Sequence, residues 1–372
     1  MNRPSQEKAT IRVLVLAKYS SRAASTRQRI LQYAPYLSDN GVELDVRPLL
    51  DDRYLAALMR NVQPARSNVF LAYLRRIREL LATRHYDVVW VQYELFPYIP
   101  ILDHLFAKTT VTPIVYDIDD AIFHMYDCHR KGFVRSLLKN KLRSLMRNSA
   151  VCLCGNAYLR EYVEESGGRA IVVPTVVDTD IFRPTTVFDH RTLTIGWIGS
   201  PSTWRYVEPM LPALMPQLAA LGARFRVVGA GPAALGIEGI DAIDWSEEDE
   251  VRELQCMDIG LMPVPDDPWG RGKCGYKLIQ YMACGIPSIA SPIGVNSVII
   301  DHGKDGFLAL DNDAWGVALS SLASDGALRE RMGVLGRAKV VANYSLYSQQ
   351  PVVLAALRKA AEQKRRLPGT MT

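Results

Sequence analysis

Short apolar runs alternate with amphipathic segments along the first half of the chain. The runs predict buried strands over residues 11–17, 42–46, 87–91, 113–116 and 150–154. Between them, polar turns lead into segments with helical spacing of apolar residues, which predict helices over 26–38 and 67–82. Strands that are apolar on both faces and separated by helices are typical of a parallel sheet covered by helices on both sides.

The same pattern restarts in the second half, with strands predicted over residues 193–198, 225–228, 259–262 and 287–290. Residues 179–186 are polar and contain Pro184, which is typical of a linker, and a last helix is predicted over 345–363. A chain of 372 residues is also too long for one ordinary core. We therefore predict an α/β protein with two doubly wound parallel-sheet domains, 1–184 and 185–344, followed by a closing helical segment, 345–372.

Composition narrows the class of protein. With 48% hydrophobic and 22% charged residues the chain has a globular composition, and no apolar run is long enough to span a membrane. The first residues lack an apolar signal core, so we expect a cytoplasmic protein. Six cysteines without a Cys-x-x-Cys pair favour reduced thiols over a disulfide framework.

The net charge of +5 is concentrated in the first half, where residues 1–190 hold 26 basic and 20 acidic side chains. Residues 130–147 alone carry seven cations and no acid. An apolar stripe at helical period runs through this segment: Val134, Leu137, Leu138, Leu142, Leu145 and Met146. One interpretation is a basic amphipathic helix on the inner, anionic face of a membrane. The other is a docked surface helix with a solvated basic face.

Residues 273–290 predict a loop, a helix over 276–284 and a buried strand over 286–291. Gly285 is suited to the left-handed position that ends a helix. Lys273 and Lys277 surround the first turn of this helix, and Gln280 shares a face with Lys277. A helix start that carries cations favours an anion-binding site, although solvated lysines on an ordinary surface helix are an alternative.

A second candidate follows the strand 193–198. The run Gly199-Ser200-Pro201-Ser202-Thr203 opens a helix, a context in which amides and hydroxyls hold phosphate. It lacks the spaced glycines of a dinucleotide fingerprint and the lysine of a P-loop, and Ser202 or Thr203 could simply cap the helix. Together with Lys273 and Lys277, however, this run favours a diphosphate site.

Two candidates lie in the first half. Asp117, Asp119 and Asp120 end a strand, where carboxylates can accept protons, orient hydroxyls, bind a divalent metal or cap a helix. We disfavour the metal because hard cations need more oxygen ligands than the neighbouring sequence offers. Arg27 and Arg29 stand in a first helical turn and oppose its dipole, which favours an anionic or hydroxyl-rich ligand over ordinary surface ion pairs.

These segments together resemble the retaining glycosyltransferases of family four. The resemblance lies in residues 173–178 with Phe182 and Pro184, in 195–203, in 272–296 and in 305–308. The first half matches through 25–29 and 115–121. The resemblance implies the GT-B fold, in which two Rossmann-like domains face each other across a cleft and the C-terminal helix crosses back to the N-terminal domain.

The resemblance also implies a function. It implies a nucleotide-sugar donor held by residues 185–344, and transfer of its sugar with retention to a glycan or lipid-linked acceptor, in cell-surface polysaccharide or glycolipid synthesis. It implies neither a metal nor a nucleic acid partner. The family shows two glutamates separated by seven residues, where this chain has Gly272 and Gln280, so Asp266 or Asp267 is a candidate substitute. Many relatives carry a histidine where this chain has Asp119.

The candidate residues fall into three groups. The catalytic candidates are Asp119, Asp120 and Lys277, and the acceptor-side candidates are Arg27 and Arg29. The donor-binding candidates are Gly199, Ser200, Thr203, Arg205, Lys273, Tyr276, Lys277, Gln280, Gly294 and Asn296. Two other functions stay open: a GT-B sugar-nucleotide epimerase or hydrolase, and a non-catalytic donor-binding subunit.

Overall fold

The structure is a computed structural model that describes residues 10–59, 62, 64–185 and 192–365. The chain forms two compact units, one running up to Pro174 and resuming at Gln349, the other spanning Thr175–Ser348. Each unit contains a six-stranded sheet in which every pair of neighbouring strands is parallel. The predicted α/β fold with two doubly wound parallel sheets is confirmed.

The first sheet has the strand order β2-β1-β3-β4-β5-β6. Its strands are β1 (Ile11–Tyr19), β2 (Val42–Leu50), β3 (Val88–Gln92), β4 (Ile114–Ile118), β5 (Val151–Cys154) and β6 (Ala170–Val172). Both β3 and β4 are buried along their whole length, as expected of central strands covered on two faces.

Nine helices connect these strands in the described part of the first unit. They are α1 (Ala24–Arg29), α2 (Ala34–Asp39), α3 (Asp52–Met59), α4 (Arg66–Leu81), α5 (Leu102–Thr109), α6 (His124–Asp127), α7 (Gly132–Leu138), α8 (Arg143–Asn148) and α9 (Ala157–Glu165). Two 3-10 turns, Leu31–Tyr33 and Thr83–His85, add to them.

Two predicted helices of the first unit are divided. The helix predicted over 26–38 consists of α1, a 3-10 turn and α2, because Pro35 lacks an N–H group and begins a new helix. The single basic helix predicted within 130–147 was wrong: α7 and α8 are separate. Leu142, Leu145 and Met146 are buried, and so is Lys141, which the sequence placed on a basic surface.

The second sheet has the strand order β12-β11-β10-β7-β8-β9. Its strands are β7 (Thr194–Ile198), β8 (Arg224–Val228), β9 (Ile240–Ile243), β10 (Ile259–Met262), β11 (Ser288–Ala290) and β12 (Gly306–Leu308). The edge strands β6, β9 and β12 escaped prediction because each is short and only partly buried.

The described helices of the second unit lie between these strands and after β12. They are α10 (Pro201–Trp204), α11 (Leu211–Ala220), α12 (Glu250–Gln255), α13 (Pro268–Arg271), α14 (Tyr276–Ala283), α15 (Asn296–Ile299), α16 (Asn312–Ser324) and α17 (Gly326–Asn343). The 3-10 turns are Glu208–Met210 and Gly231–Ala234. At the end of α14, Gly285 has a φ of 73°, the left-handed conformation predicted for it.

The last helix, α18 (Leu346–Arg365), belongs to the first unit from Gln349 onward. Arg358 donates a hydrogen bond of 2.8 Å to the carbonyl of Asn40, and Lys364 donates one of 2.9 Å to that of Arg84. Leu357 on its inner face is fully buried. These contacts tie the end of the chain to the first sheet and its helices.

The second unit begins at Thr175, before the predicted boundary at 184. Arg337 donates hydrogen bonds to the carbonyls of Thr179 and Phe182, at 3.1 and 3.0 Å, and Phe182 is buried. The segment predicted as a linker is therefore packed on the second unit up to Thr185. Its last residue, Thr186, lies outside the described residues.

Two further findings concern the class of protein. Within the described ranges, none of the helices combines the length and the apolar character needed to cross a bilayer. The six cysteines are all free thiols, as predicted.

Candidate active site

In each sheet there is one pair of neighbouring strands after which the chain continues toward opposite edges of the sheet. In the first sheet this pair is β1 and β3, and in the second it is β7 and β10. Loops that leave the carboxyl ends of such a strand pair diverge and leave a crevice, where doubly wound sheets bind ligands. In the second unit the two loops are those predicted to hold a diphosphate, at 199–205 and 265–277.

The first of these loops turns sharply after β7. A Cβ atom on Gly199 would lie 2.4 Å from Cζ2 of Trp197, so only glycine fits beside this ring. The hydroxyl of Thr203 accepts a hydrogen bond of 3.2 Å from the Ser200 N–H and donates one of 3.0 Å to the Ser200 carbonyl. Thr203 therefore stabilises the turn, while the exposed Ser200 and Ser202 hydroxyls lie 2.9 Å apart.

Lys277 and this turn both contact the ring of Trp197. Lys277 stands in the first turn of α14, which begins after Gly275 in a left-handed conformation with a φ of 66°. The Lys277 ammonium lies 5.6 Å from the centre of the Trp197 ring, the ring that also packs against Gly199. At the other end of α14, the hydroxyl of Tyr281 accepts a 3.0 Å hydrogen bond from the backbone N–H of Ile198. The turn after β7 and the start of α14 thus share one aromatic side chain.

Lys273 lies against a second tryptophan, with its ammonium 5.3 Å from the centre of the Trp269 ring. The two neighbouring acids hold the loop that carries it. Asp267 caps α13 by accepting a 2.6 Å hydrogen bond from the Gly270 N–H, and Asp266 forms a 2.7 Å ion pair with Arg271. Both aspartates therefore stabilise the loop, and a sugar contact by either of them remains a prediction.

Gln280 is only 2% exposed, so it does not share a solvated face with Lys277. Its Nε2 donates a 3.0 Å hydrogen bond to Oε1 of Glu250, the first residue of α12. Nε1 of Trp245 donates to the same oxygen at 3.1 Å. A half-buried carboxylate is therefore held beside Gln280, close to the position where a glutamate was expected.

Gly294 and Asn296 form the neighbouring loop after β11. Gly294 has a φ of 56°, and a Cβ there would lie 2.6 Å from the carbonyl of Arg271. Asn296 is buried and donates a 3.1 Å hydrogen bond to the carbonyl of Ser291. Both residues therefore shape the backbone that adjoins the loop of Lys273.

Arg205 and Tyr276 have contacts of a different kind. Arg205 is exposed at the C-terminal end of α10, and its guanidinium lies 5.0 Å from the centre of the Tyr206 ring. Tyr276 is half-buried and packs against the core of the second unit. Their donor-binding roles remain predictions.

Sequence reasoning missed Trp197, Glu250 and Gly229 in this region. Gly229 has a φ of 80°, and a Cβ there would lie 2.3 Å from the carbonyl oxygen of Gly199. A signal was present, because two glycines, Gly229 and Gly231, directly follow the predicted strand 225–228. The contacts of the two other residues depend on tertiary packing and leave no such trace.

In the first unit, all three guanidinium nitrogens of Arg29 donate hydrogen bonds to buried groups of the same unit. Its Nε and Nη2 donate to the two carboxylate oxygens of Asp117, at 2.9 and 3.2 Å, and its Nη1 donates to the Val173 carbonyl at 2.6 Å. Both side chains of the ion pair are 1% exposed. Arg29 is therefore corrected from an acceptor contact to a structural residue, and Asp117 from a strand-end acid to its partner.

Asp119, which follows β4, has a strongly raised pKa. Burial raises its pKa to about 7, helped by the charge of Asp120 and opposed by Arg29 and by a hydrogen bond from the Tyr93 hydroxyl. Tyr93 itself has a φ of 63°, a strained conformation for a bulky residue. Such strain at a strand end is a mark of functional sites. Sequence alone could not show it, because tyrosine gives no sign of left-handed backbone.

A cluster of enclosed charges lies beyond β1 and β3. Glu94 forms ion pairs of 2.7 Å with Lys18 and 3.0 Å with Lys141, and Lys141 forms another of 3.0 Å with Asp103. Burial raises the pKa of Glu94, but the two lysines outweigh it and lower that pKa to about 2. These charges satisfy each other and stabilise the strand-end loops.

Arg27 also has a partner close to it in the chain, and one group of potential metal ligands is held by hydrogen bonds. Arg27 is held to the preceding turn by a 2.7 Å hydrogen bond to the Arg22 carbonyl. Among the described residues, His124, Asp127 and Cys128 form one group that could ligate a metal, with ligand atoms within 4.8 Å. His124 hydrogen-bonds Asp127 at 2.6 Å and Tyr158 at 2.8 Å through its two ring nitrogens, which accounts for the group without an ion.

Comparison with known proteins found a family that is similar to part of this chain. The glycosyl transferases group 1 family matches residues 192–325, which cover the crevice between β7 and β10. The matched residues all lie within the second unit. An N-acetyl-alpha-D-glucosaminyl L-malate synthase from Bacillus anthracis is 26% identical to this chain over 157 residues, which are 40% of this chain and 39% of that enzyme.

Solved structures of glycosyltransferases share the fold of this chain over almost its whole length. A sucrose-phosphate synthase from Thermosynechococcus elongatus has a TM-score of 0.73 at 13% identity, covering 94% of this chain and 98% of that one. Anabaena Alr3699/HepE in complex with UDP and glucose has a TM-score of 0.70 at 14% identity, covering 94% and 99%. The chain thus has the GT-B fold of these structures.

Proposed function

We propose that this chain is a glycosyltransferase that moves a sugar from a nucleotide-sugar donor to a glycan or lipid-linked acceptor. The observation that carries the proposal is the meeting of Lys277 and the Gly199 turn around Trp197, at the crevice between β7 and β10. The group 1 sequence of this unit and the UDP complexes of similar folds support it.

The donor's diphosphate is proposed to bind between the Gly199 turn and the first turn of α14. Cleavage of the bond between sugar and diphosphate leaves negative charge on the phosphate oxygens. Lys273 and Lys277, held on tryptophan rings, would stabilise that charge, together with the Ser200 and Ser202 hydroxyls. Two ammonium groups offset most of the charge of a departing diphosphate, and we therefore propose a reaction without a divalent metal.

The nucleoside is proposed to lie beside Glu250 and Trp245. Gln280 and Trp245 both donate to Oε1 of Glu250, which holds this half-buried carboxylate in place at the start of α12. We propose that it also accepts from the ribose hydroxyls. Gln280 would then position this carboxylate instead of contacting the ribose itself.

The first unit is proposed to serve the acceptor and the reacting sugar. Asp119, as a carboxylate, would orient the acceptor hydroxyl or support the positive charge that develops on the sugar, with Asp120 and Arg27 as further contacts. Transfer with retention, and a role in cell-surface polysaccharide or glycolipid synthesis, complete the proposal on the strength of the family resemblance.

Membrane contact through 130–147 is retained only in part. Phe133 and Leu137 of α7 are exposed, whereas the apolar residues of α8 are buried. The proposal is therefore limited to α7 and the exposed cations Lys131 and Arg135.

A donor screen tests the function directly. UDP, GDP, ADP and TDP are compared by thermal shift, because a ligand of the folded state raises its apparent stability. The sugar nucleotides of the best binder are then incubated with and without a panel of sugar and polyprenyl-phosphate sugar acceptors, in the presence of EDTA. Nuclear magnetic resonance of the product gives the anomeric configuration.

We expect acceptor-dependent transfer, an α-linked product from an α-linked donor, and no effect of EDTA. Conversion of the donor without any acceptor would support an epimerase or hydrolase instead. Donor binding without turnover across the panel would identify a non-catalytic subunit. Absence of binding by all four nucleotides would reject the proposal.

A further inference from the structure

Helix α4 (Arg66–Leu81) turns an apolar face outward. Phe70, Leu71, Leu74, Ile77 and Leu81 are between 40% and 73% exposed. At about 100° per residue, these five positions fall within an arc of roughly 120° on one side of the helix. A soluble helix normally directs such a stripe to the core, so a contiguous exposed stripe indicates a binding surface.

The inner face of α4 is held by polar contacts. Arg76 is 1% exposed, and its Nη2 donates hydrogen bonds of 2.8 and 3.1 Å to the carbonyls of Ala17 and Arg47. The Tyr73 hydroxyl donates a 2.8 Å hydrogen bond to the Pro97 carbonyl, and its ring packs edge-on against Phe96 at 5.6 Å. These contacts determine which face of α4 points inward, so the apolar stripe is not required for the helix to dock.

The charge around the stripe selects the partner. Residues 66–85 contain five arginines and one acid, Glu79. Glu79 is paired on the inner side with Arg76 at 3.2 Å. Arg66 and Arg78 are exposed beside the apolar residues, and Arg84 follows them. A second copy of this chain would bring two basic surfaces together, whereas anionic lipid headgroups would neutralise them.

We propose that α4 is a membrane-docking helix, with its apolar stripe inserted among the acyl chains of an anionic bilayer and its arginines at the headgroups. The surface differs from the predicted segment 130–147, and it does not depend on the nature of the donor. It fits an enzyme whose acceptor lies at a membrane, but it stands or falls separately from the proposed transfer reaction.

Vesicle sedimentation of the full chain tests this. Phosphatidylcholine vesicles are compared with vesicles in which about one third of the lipid is phosphatidylglycerol. We expect binding to the anionic vesicles that weakens as salt is added, because screening shortens the reach of the arginines. The triple variant Phe70→Ser, Leu74→Ser, Leu81→Ser should bind them at least about tenfold more weakly, since it loses three inserted side chains.

A matched control removes equally exposed apolar residues from the second unit, on α17. Val334, Leu335 and Val341 are 45–64% exposed, and their triple serine variant should bind as the parent does. A second pair compares Arg78→Gln, which should weaken binding severalfold, with Arg331→Gln on α17, which should not. Circular dichroism and melting temperature verify that every variant folds.

Three results would overturn the proposal. The folded α4 variant could bind anionic vesicles as tightly as the parent. The control variant could lose as much binding as the α4 variant, which would make the effect non-specific. Sedimentation velocity could show a parent dimer that the α4 variant converts to a monomer, which would assign the stripe to contact between two copies.

Discussion

The two units place charged side chains differently at the carboxyl edges of their sheets. In the first unit, the ion pair of Arg29 with Asp117 and those of Lys18 and Lys141 with Glu94 are at most 7% exposed. In the second unit, Lys273 and Lys277 are half-buried, each with its ammonium over a tryptophan ring. The first arrangement encloses its charges and the second keeps them near solvent.

This difference separates structural charge from functional charge. An enclosed pair has lost its hydration, so each partner depends on the other and neither is available to a ligand. Lys273 and Lys277 are instead half-buried, so an anion that enters from solvent can reach their ammonium groups. Exposure therefore distinguishes Arg29 and Lys277, which the sequence presented as similar candidates.

The largest expected effect is on the stability of the first unit. Arg29→Met should lower its free energy of unfolding by about 3–5 kcal/mol, because Asp117 would stay buried without its partner. Arg47→Met removes the exposed partner of Asp45 and should cost less than about 1 kcal/mol. Urea unfolding, with hydrogen exchange of β4 to identify the unit, measures both; equal effects would contradict the structural role of Arg29.

The next effect is on turnover. Lys277→Ala should reduce kcat by roughly a hundred- to a thousandfold, because it removes one of the charges that stabilise the leaving diphosphate. Its melting temperature should stay within a few degrees of the parent. Lys304→Ala, an exposed lysine of the same unit, serves as the control and should leave kcat unchanged. Undiminished transfer by Lys277→Ala would remove it from the site.

Asp119 should make turnover depend on pH, and its charged form should lower the stability of the folded chain. Its pKa is raised from 3.8 to about 7 in the folded chain, so the folded state binds the proton more tightly than the unfolded state does. The stabilisation this gives is complete at low pH and is lost as the pH rises through about 7. Asp119→Asn should therefore be more stable than the parent by roughly 1–3 kcal/mol above that pH.

Turnover gives the complementary measurement. Parent kcat should rise with pH through about 7 as Asp119 ionises, and Asp119→Asn should lose both the rise and most of the activity. Glu161→Gln, an exposed acid of α9, is the control for stability. A parent rate that falls across this pH range would reject the carboxylate role of Asp119.

The smallest effect is expected at Glu250. Glu250→Gln keeps an oxygen that can accept from Trp245 and Gln280 but loses the charge, so nucleoside diphosphate affinity should fall about tenfold. Calorimetry with the ribonucleotide and its 2′,3′-dideoxy analogue isolates the ribose. The parent should prefer the ribonucleotide and the variant should not. A preference that survives in the variant would leave Glu250 with a purely structural role.

The sequence predicted the fold because apolar runs identify central strands well. It also singled out Lys277 and Gly199, because glycine after a strand and cations before a helix are local signals. It could not predict that Trp197 joins them, since that contact links residues far apart in the chain.

The failures have a common physical cause. The buried ion pairs of Arg29 and Lys141 were not predicted, because an arginine or lysine looks the same in sequence whether its partner is a ligand, water or a buried acid. The apolar stripe of α4 was taken as part of an ordinary helix, because periodicity reveals an apolar face but not which way it points. The partner of a charged side chain and the direction of an apolar helix face both depend on tertiary packing.

The return of α18 to the first unit affects the order in which the two units can fold during synthesis. Residues of the second unit are contiguous, so all of them leave the ribosome before the part of α18 that starts at Gln349. Until then the first unit lacks the helix that supplies the buried Leu354, Leu357 and Ala361. The second unit can therefore mature first, and the first unit can close only after translation has reached its last helix.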